Sequence, residues 1–333
     1  MEQFRALLTA SYGRHYLAEK IAADGSHSGP LIQVSTPAKQ HVGAVGDHLL
    51  LESTSPDQAR IIQIEDRRNL LYRSDAFKSK LIASNVDQIL VVLATQPAFS
   101  PDLLGRAVVA AEAHDIGLHI ILNKCDLQDS LPIARKLVAP YARMGYPVTE
   151  VSAKFDPVSM ASLQTALCGK VSVLVGQSGM GKSTLLNAWV PDAAAVTQEY
   201  SVRLDTGKHT TTACRYYDLP EWGRDQRGRL GALIDSPGFQ EFGLAHLSVS
   251  ELQHAFREFK SVLGQCRFHN CAHLAEPDCA IRDAVDKNQI TAERLNLFRQ
   301  LHSDSKTADI QLQGITQAKE RWSTSPTKSS KKQ

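Results

Sequence analysis

The hydrophobic texture of the chain changes twice. Up to about residue 80, short stretches of alternating apolar and polar positions at 12–19, 42–52, 59–65 and 69–73 carry the period of β-strands. Turn-formers separate them: Asp24-Gly25-Ser26-His27-Ser28-Gly29-Pro30, then Gly43 and Gly46-Asp47, then residues 53–57. Short strands at this spacing predict a small barrel or sandwich. The size of the region and the basic Arg67, Arg68 and Arg73 fit an OB-type barrel, a fold that often carries nucleic acid on one face. A structural or protein-docking β-domain fits the same residues equally well, because Arg and Lys beside strands are commonly solvated edges.

From Asn85 onward the pattern is different. Residues 86–94 form an apolar run broken only by Asp87 and Gln88, the mark of a strand buried on both faces. Ser100-Pro101 then supplies a cap followed by proline at the first helical position, predicting a helix to about His114 that closes near Gly117. A second buried strand at 118–122, a helix at 131–144, a strand at 147–151, a helix at 158–168 and a strand at 171–175 follow. Strands and helices alternating in this way predict an α/β fold with a mostly parallel sheet and helices on both faces. A third texture begins near residue 246, where Ser248 and Glu251 form a capping box for a helix at 248–260 and another helix is expected at 291–301. The tail at 319–333 is polar, includes Lys328, Lys331 and Lys332, and reads as mostly disordered with scope for RNA contact.

Composition adds bounds. The 333 residues suggest two or three domains, and 37 basic against 35 acidic residues leave a net charge of +2, so any nucleic-acid surface must be a local patch. No run approaches the roughly 18 apolar residues of a membrane span, and no apolar leader opens the chain, so a cytoplasmic protein without membrane contact is expected. The six cysteines then read as thiols or metal ligands.

The strand at 171–175 runs into Gly176-Gln177-Ser178-Gly179-Met180-Gly181-Lys182-Ser183, followed by helix-like residues from Thr184. Strand, glycine-rich loop and helix together make GxxxxGKS a phosphate cradle, since glycines let backbone N–H groups turn onto an anion at a helix N-terminus. Lys182 would reach the β- and γ-phosphates and the Ser183 hydroxyl would ligate Mg2+. Asn123-Lys124-Cys125-Asp126 ends the strand at 118–122. An Asp carboxylate there accepts from guanine N1–H and the exocyclic amine, whereas adenine would present it with a lone pair; sites of this kind can reject an analogue by about 10⁴-fold or more. Asn123 and the Lys124 stem would hold the loop and cover the base. Ser152-Ala153-Lys154, after the next strand, suits a second wall, with the Ala153 N–H facing guanine O6. Alone, such an NKxD sequence would read as a surface turn; with the phosphate loop it specifies guanine.

Leu233-Ile234-Asp235-Ser236-Pro237-Gly238 is a strand ending in a Walker-B-type Asp and a glycine placed to sense the γ-phosphate. Between the two lies Thr206-Gly207-Lys208-His209-Thr210-Thr211-Thr212, from which one threonine would complete the Mg2+ shell; Thr211 is the choice, with its neighbours open. After Gly238 comes Phe239 where many GTPases carry the glutamine that orients water. An aromatic ring cannot perform that task, and Gln240 is one position too far. The order NKxD, SAK, phosphate loop, threonine, DxPG is a circular permutation of the ordinary GTPase order, which surface termini lying close together tolerate. Cys266, Cys271, His273 and Cys279 are spaced C-x4-C-x-H-x5-C, the donor set of a closed structural Zn2+ site. His269 is a rival fourth ligand, and Cys125, Cys168 and Cys214 fall outside the cluster.

Taken together, these motifs resemble the ribosome small-subunit-dependent GTPase A family over nearly all residues up to about 300. The resemblance implies an OB-fold domain at 1–80, a circularly permuted P-loop GTPase at 81–245, an α-helical zinc-binding domain at 246–305 and a flexible extension at 306–333. It implies a GTP hydrolase, acting as a monomer, that binds the 30S subunit and its 16S rRNA late in maturation, is stimulated by it, and helps release or check assembly intermediates. A GTP-gated RNA-binding scaffold with incidental hydrolysis is the alternative. The family's hydrophobic replacement of the catalytic glutamine falls on Phe239, and its proposed water-positioning histidine on His209. One departure is that members often begin with a longer basic extension, where this chain starts almost at the barrel with Glu2 and few cations.

Overall fold

The structure, a computed structural model, describes residues 2–12, 15–22, 25–27, 29–36, 43–74, 79–193, 214–236 and 243–323. Five strands close the N-terminal barrel: β1 (Gln3–Tyr12), β2 (His15–Lys20), β3 (Ile32–Ser35), β4 (His48–Ser55) and β5 (Gln58–Ile64). Their order runs β1-β2-β3-β5-β4, and β4 returns to β1, so no edge is left open around the ring. Only the β3–β5 pair is parallel. This is the expected OB-type barrel, built differently from the expected strands. The stretch at 12–19 is β2 alone, β1 and β3 were not foreseen, and the strand at 69–73 is β6 (Leu70–Ser74), which pairs with β7 (Ser79–Ser84) in a separate two-stranded ribbon.

Arg67, a candidate for the nucleic-acid face, is committed elsewhere. Its guanidinium donates to both oxygens of Asp47 at 2.7 Å, and Asp47 is fully buried and accepts the Ala44 N–H at 2.8 Å. A buried carboxylate persists only when paired and hydrogen-bonded, which this fork provides. Arg68 donates to Asp87 and to the Asn85 carbonyl, bracing the passage into the next domain.

The same sheet continues beyond β1. The elements β8 (Gln88–Ala94), α1 (Pro101–Ala113), β9 (Gly117–Asn123), α2 (Leu131–Arg143), β10 (Val148–Glu150), α3 (Pro157–Thr165), β11 (Val171–Val175), α4 (Lys182–Trp189), β12 (Cys214–Asp218) and β13 (Ala232–Asp235) follow in the chain. Strands β10-β9-β8-β11-β13 are parallel, and antiparallel β12 lies outside them. All seven residues of β8 are buried: Ile89 to Ala94 as an apolar run requires, and Gln88 because its amide donates to the Ala166 carbonyl and the Ser172 hydroxyl. Helix α1 starts where the sequence places it: Ser100 accepts the Leu103 N–H and Pro101 occupies the first turn. Helix α3 begins at an Asp156 cap and ends at Thr165, shorter than expected. Strand β12 pairs with β1 through Ala10 and Ser11, making barrel and parallel sheet one continuous surface. Residues 1–73 and 80–242 accordingly form one compact unit.

The second unit holds residues 243–333 together with residues 74–79. Its helices are α5 (Val249–Ala255), α6 (Ala280–Asp286) and α7 (Ala292–Ser323). Ser248 and Glu251 form the expected capping box, and the helix they open gives way to a 3-10 turn at Arg257–Phe259. Its core is a set of three fully buried rings, Phe256, Phe259 and Phe298, with centroids 4.8–5.5 Å apart. Helix α7 overturns the expected end at 301, and its residues 319–323 are helical rather than disordered. Residues 324–333, with the three lysines, lie outside the described residues.

Candidate functional site

Four chemistry-bearing segments leave the sheet at one end, because β9, β10, β11 and β13 are parallel and each motif follows its strand's carboxyl end. That end of an open parallel sheet is where α/β folds bind ligands. The phosphate loop leaves β11 and enters α4 at Gly181, whose φ of +98° is left-handed. A Cβ there would also collide with the side-chain amide nitrogen of Asn123, so both backbone and neighbour demand glycine. Lys182 folds over the loop and donates to the Gly176 carbonyl at 2.7 Å and to that of Gln177 at 3.0 Å. Burial lowers its pKa, and Asp235 opposes that by favouring the charged form. Asp235 is itself raised by burial and held back by Lys182 and Arg215. Register aligns Leu174 of β11 with Asp235 of β13, which fixes this juxtaposition. Ser178 and Gly179 are exposed on the loop, Met180 is buried beneath it, and Ser183 and Thr184 are exposed in the first turn of α4.

Asn123 ties three motifs together. Its amide nitrogen donates to the Met180 carbonyl at 3.0 Å, and its oxygen accepts the backbone N–H groups of Lys124 and Ala153 at 2.8 and 3.1 Å. The Ala153 N–H, expected to face guanine O6, is thus bonded to Asn123. Lys124, with φ of +61°, sends its ammonium to the carbonyls of Gly179 and Gln96, each at 2.7 Å. Its stem therefore lies between the phosphate loop and the end of β8. Asp126 is exposed and accepts the Ser152 hydroxyl at 2.5 Å, joining NKxD to SAK. Lys154 is exposed with its ammonium 5.2 Å from the Phe155 ring. The array presents fixed carbonyls, the carboxylates of Asp126 and Asp235 and the lysines Lys124, Lys154 and Lys182 around a place for a nucleotide.

One contact had no sequence signal. Gln177 accepts the Ser100 N–H at 2.9 Å, so the N-terminus of α1 steadies the phosphate loop. Cys125, between the guanine-reading residues, is a packing group: burial, with Glu150 adding to it, pushes its thiol up to about 11. The switch segment with Lys208, His209 and Thr210 to Thr212, and Gly238, Phe239 and Gln240, lie outside the described residues.

In the second unit, Cys266, Cys271, His273 and Cys279 bring their donor atoms within 4.8 Å of one another, and His269 does not join them. His273 Nδ1 lies 3.6 Å from the Cys266 sulfur and 3.4 Å from that of Cys279, and those two sulfurs are 4.0 Å apart. Edge contacts with Phe259 and Phe298 hold the imidazole. Glu276 shapes the intervening turn by accepting the N–H groups of Ala272, Leu274 and Ala275. Burial opposes its ionisation, yet those bonds hold its carboxyl at about 2. Burial also pushes the Cys271 thiol up to about 12, with the neighbouring thiols adding to it. Three sulfurs converging on one imidazole are the donor set of a soft cation, which would hold them as thiolates. The cluster could hold one metal ion.

Comparison with known proteins agrees with this geometry. The profile of the RsgA GTPase family matches residues 64–245. The chain is 51% identical over 301 residues to the small ribosomal subunit biogenesis GTPase RsgA of Paraburkholderia phymatum, covering 90% of this chain and 91% of that protein. Among solved structures it is similar to YjeQ from Thermotoga maritima, with a TM-score of 0.65 and 26% identity, covering 91% of this chain and 99% of the other. It is also similar to YloQ, described as a circularly permuted GTPase, with a TM-score of 0.62 and 26% identity, covering 92% and 96%.

Proposed function

The chain belongs to the RsgA GTPase family, and we propose from that membership that it hydrolyses GTP on the small ribosomal subunit and assists the subunit's late maturation. The observation that carries this reading is the meeting of Asn123, Asp126, Lys182 and Asp235 at the carboxyl ends of β9, β11 and β13, in a chain whose 51% identical relative bears that function in its name. Asp126 and Ser152 would read guanine, and Lys182 with the Gly176–Lys182 backbone would hold the β- and γ-phosphates. Ser183 and Thr211 would bind Mg2+, Asp235 would support it, and Gly238 would sense the γ-phosphate. The bound Mg2+ would neutralise charge on the phosphates, and Lys182 would orient them. His209 would position the attacking water, because Phe239 offers no group to do so.

The metal of the Cys266, Cys271, His273 and Cys279 cluster is Zn2+ on this reading. Tetrahedral zinc with three sulfurs and one nitrogen has S···S and S···N edges of about 3.5–3.8 Å, close to the 3.4, 3.6 and 4.0 Å found. Residues 1–80 act as the barrel domain, 81–245 as the GTPase and 246–305 as the zinc domain of a cytoplasmic monomer that contacts 16S rRNA. The deciding experiment is GTP turnover with and without purified 30S subunits. Wild-type turnover should rise strongly with 30S, and His209→Ala should keep GTP binding while losing most of that rise. No stimulation of the wild type would leave a GTP-gated scaffold as the better reading.

A further inference from the structure

One cleft of the first unit lies at the opposite end of the parallel sheet from the phosphate loop. It has a volume of about 820 Å³ and is lined by Asp87 and Val171, at the starts of β8 and β11, whereas the phosphate loop leaves β11 at its other end. One wall is the barrel; the other is the turn joining β12 to β13, where Arg224, Arg227 and Arg229 stand within six residues, all exposed.

The turn is built to hold these arginines still. Asp225 accepts the backbone N–H groups of Arg227 and Arg229, each at 2.9 Å, and Gly228 closes the bend at a φ of +79°. Arg224 donates to the Gly228 carbonyl at 2.7 Å. A preordered loop loses little entropy when a ligand arrives. The charge balance singles out one side chain. Arg224 pairs with Glu221, Arg229 with Asp225 and Arg68 with Asp87. At the floor, Asp218 pairs with His27, and Asp87 also accepts the Val171 N–H. Among the described residues, the Arg227 guanidinium alone of the four lining arginines has no carboxylate partner. Arg224 and Arg229 keep their guanidiniums exposed to water, where ion pairs contribute little, so an incoming anion can share them cheaply.

We infer that this cleft is a docking groove for the phosphodiester backbone of one RNA strand, with Arg227 as its uncompensated anchor and Arg224 and Arg229 as flanking forks. Arginine forks match phosphate oxygens in pairs, and regularly spaced phosphates suit a fan of guanidiniums better than a single carboxylate does. The groove reads backbone rather than base sequence, because the arginines that stand exposed on its outer wall, Arg224, Arg227 and Arg229, match phosphate oxygens of any sequence. The inference rests on the small ribosomal subunit being the partner, and gives that partner a second point of purchase at the opposite end of the sheet from GTP.

The test is binding of the full chain to 30S subunits and to a protein-free 16S rRNA transcript across a salt series, for wild type, Arg227→Glu and Arg227→Lys. Arg227→Glu should weaken binding to both probes at least about tenfold and reduce the slope of log K against log salt by about 1. Arg227→Lys should retain most of the affinity. Since the Arg227 side chain makes no hydrogen bond or ion pair among the described residues, thermal unfolding and GDP affinity should match wild type in both variants. Unchanged 30S affinity and salt slope in Arg227→Glu overturns the proposal. A loss on 30S without a loss on the transcript also overturns it, by assigning the cleft to a ribosomal protein. A wild type that ignores 30S but holds the transcript through Arg227 would instead sink the subunit reading and leave the groove standing.

Discussion

On the proposed reading, the hydroxyl that holds Asp126 is what would make it selective. Ser152 donates to one carboxylate oxygen at 2.5 Å, which fixes the plane in which guanine must present N1–H and its amine. In Asp126→Asn the Ser152 hydroxyl would keep an oxygen at that position and leave the new NH2 facing the guanine donors. Losing a charged acceptor and opposing donor to donor should weaken GTP binding about 10- to 100-fold and favour xanthine nucleotides, which present a carbonyl there. Titration with fluorescent GTP and XTP analogues measures this; unaltered GTP affinity with ATP still excluded would remove Asp126 from the guanine site. At this scale the sequence was informative, since the GxxxxGKS, NKxD and SAK segments that Asn123 ties together and the Cys3His cluster each stand out by fixed residue types at fixed spacing. It was silent on Gln177 and Ser100, which meet across 77 positions through a backbone N–H that any residue supplies. It also left the Ala153 N–H free for the base, because the Asn123 oxygen that accepts it is brought near only by the β9–β10 pairing.

Among the elements, β1 is the one that the residue pattern concealed. Its residues from Ala6 to Ala10 are all buried, without the alternation of a half-exposed strand, because β2, β4 and β12 take turns beside it and a bulge interrupts it after Leu8. An apolar run at a chain start does not announce three partners, whereas β8, enclosed by parallel neighbours, announces itself. The β1–β12 junction carries two further ties. Arg215 donates to the Tyr12 hydroxyl at 2.6 Å. His27 sits between Glu19 of β2 and Asp218 of β12, each 3.2 Å from a ring nitrogen. Burial would lower its pKa, but the Asp218 and Glu19 carboxylates outweigh it and raise the value from 6.5 to about 9. A folded-state pKa above the unfolded one gives stability that is complete below pH 6.5 and is lost as the pH rises through about 9. This latch should contribute on the order of 1–3 kcal/mol at neutral pH. Wild-type Tm should therefore fall by several degrees more than that of His27→Gln between pH 6.5 and 9.5. Parallel pH profiles for the two proteins would show that the imidazolium does not fasten the barrel to the sheet.

For the whole molecule, permutation decides what the GTP sensor is joined to. The reordered motifs were legible because each is recognisable by itself, and the parallel sheet restores their meeting point whatever their order. Strand order, and the single sheet that runs through barrel and GTPase, were not legible, since they depend on pairings between distant segments. With DxPG last among the motifs, the chain passes from Gly238 into the second unit at Gly243. In GTPases generally the γ-phosphate orders the switch threonine and this glycine. Any nucleotide-dependent change at Gly238 thus has a direct covalent route into the unit that carries Cys266, Cys271, His273 and Cys279. The expected consequence is 30S affinity roughly 5- to 150-fold higher with a non-hydrolysable GTP analogue than with GDP, the usual span of coupling between linked sites. Cys271→Ser removes one ligand from the cluster, and should erase most of that difference while leaving the affinity for GTP itself unchanged, because the nucleotide residues all lie in the other unit. Binding of both proteins to 30S in each nucleotide state, together with metal content, makes the comparison. Equal wild-type affinities for the two states would dispose of the coupling. Full discrimination retained by a metal-free Cys271→Ser would place the reader of the nucleotide state outside the metal cluster, leaving the β12–β1 junction as the remaining connection from the switch region to a surface that the subunit could feel.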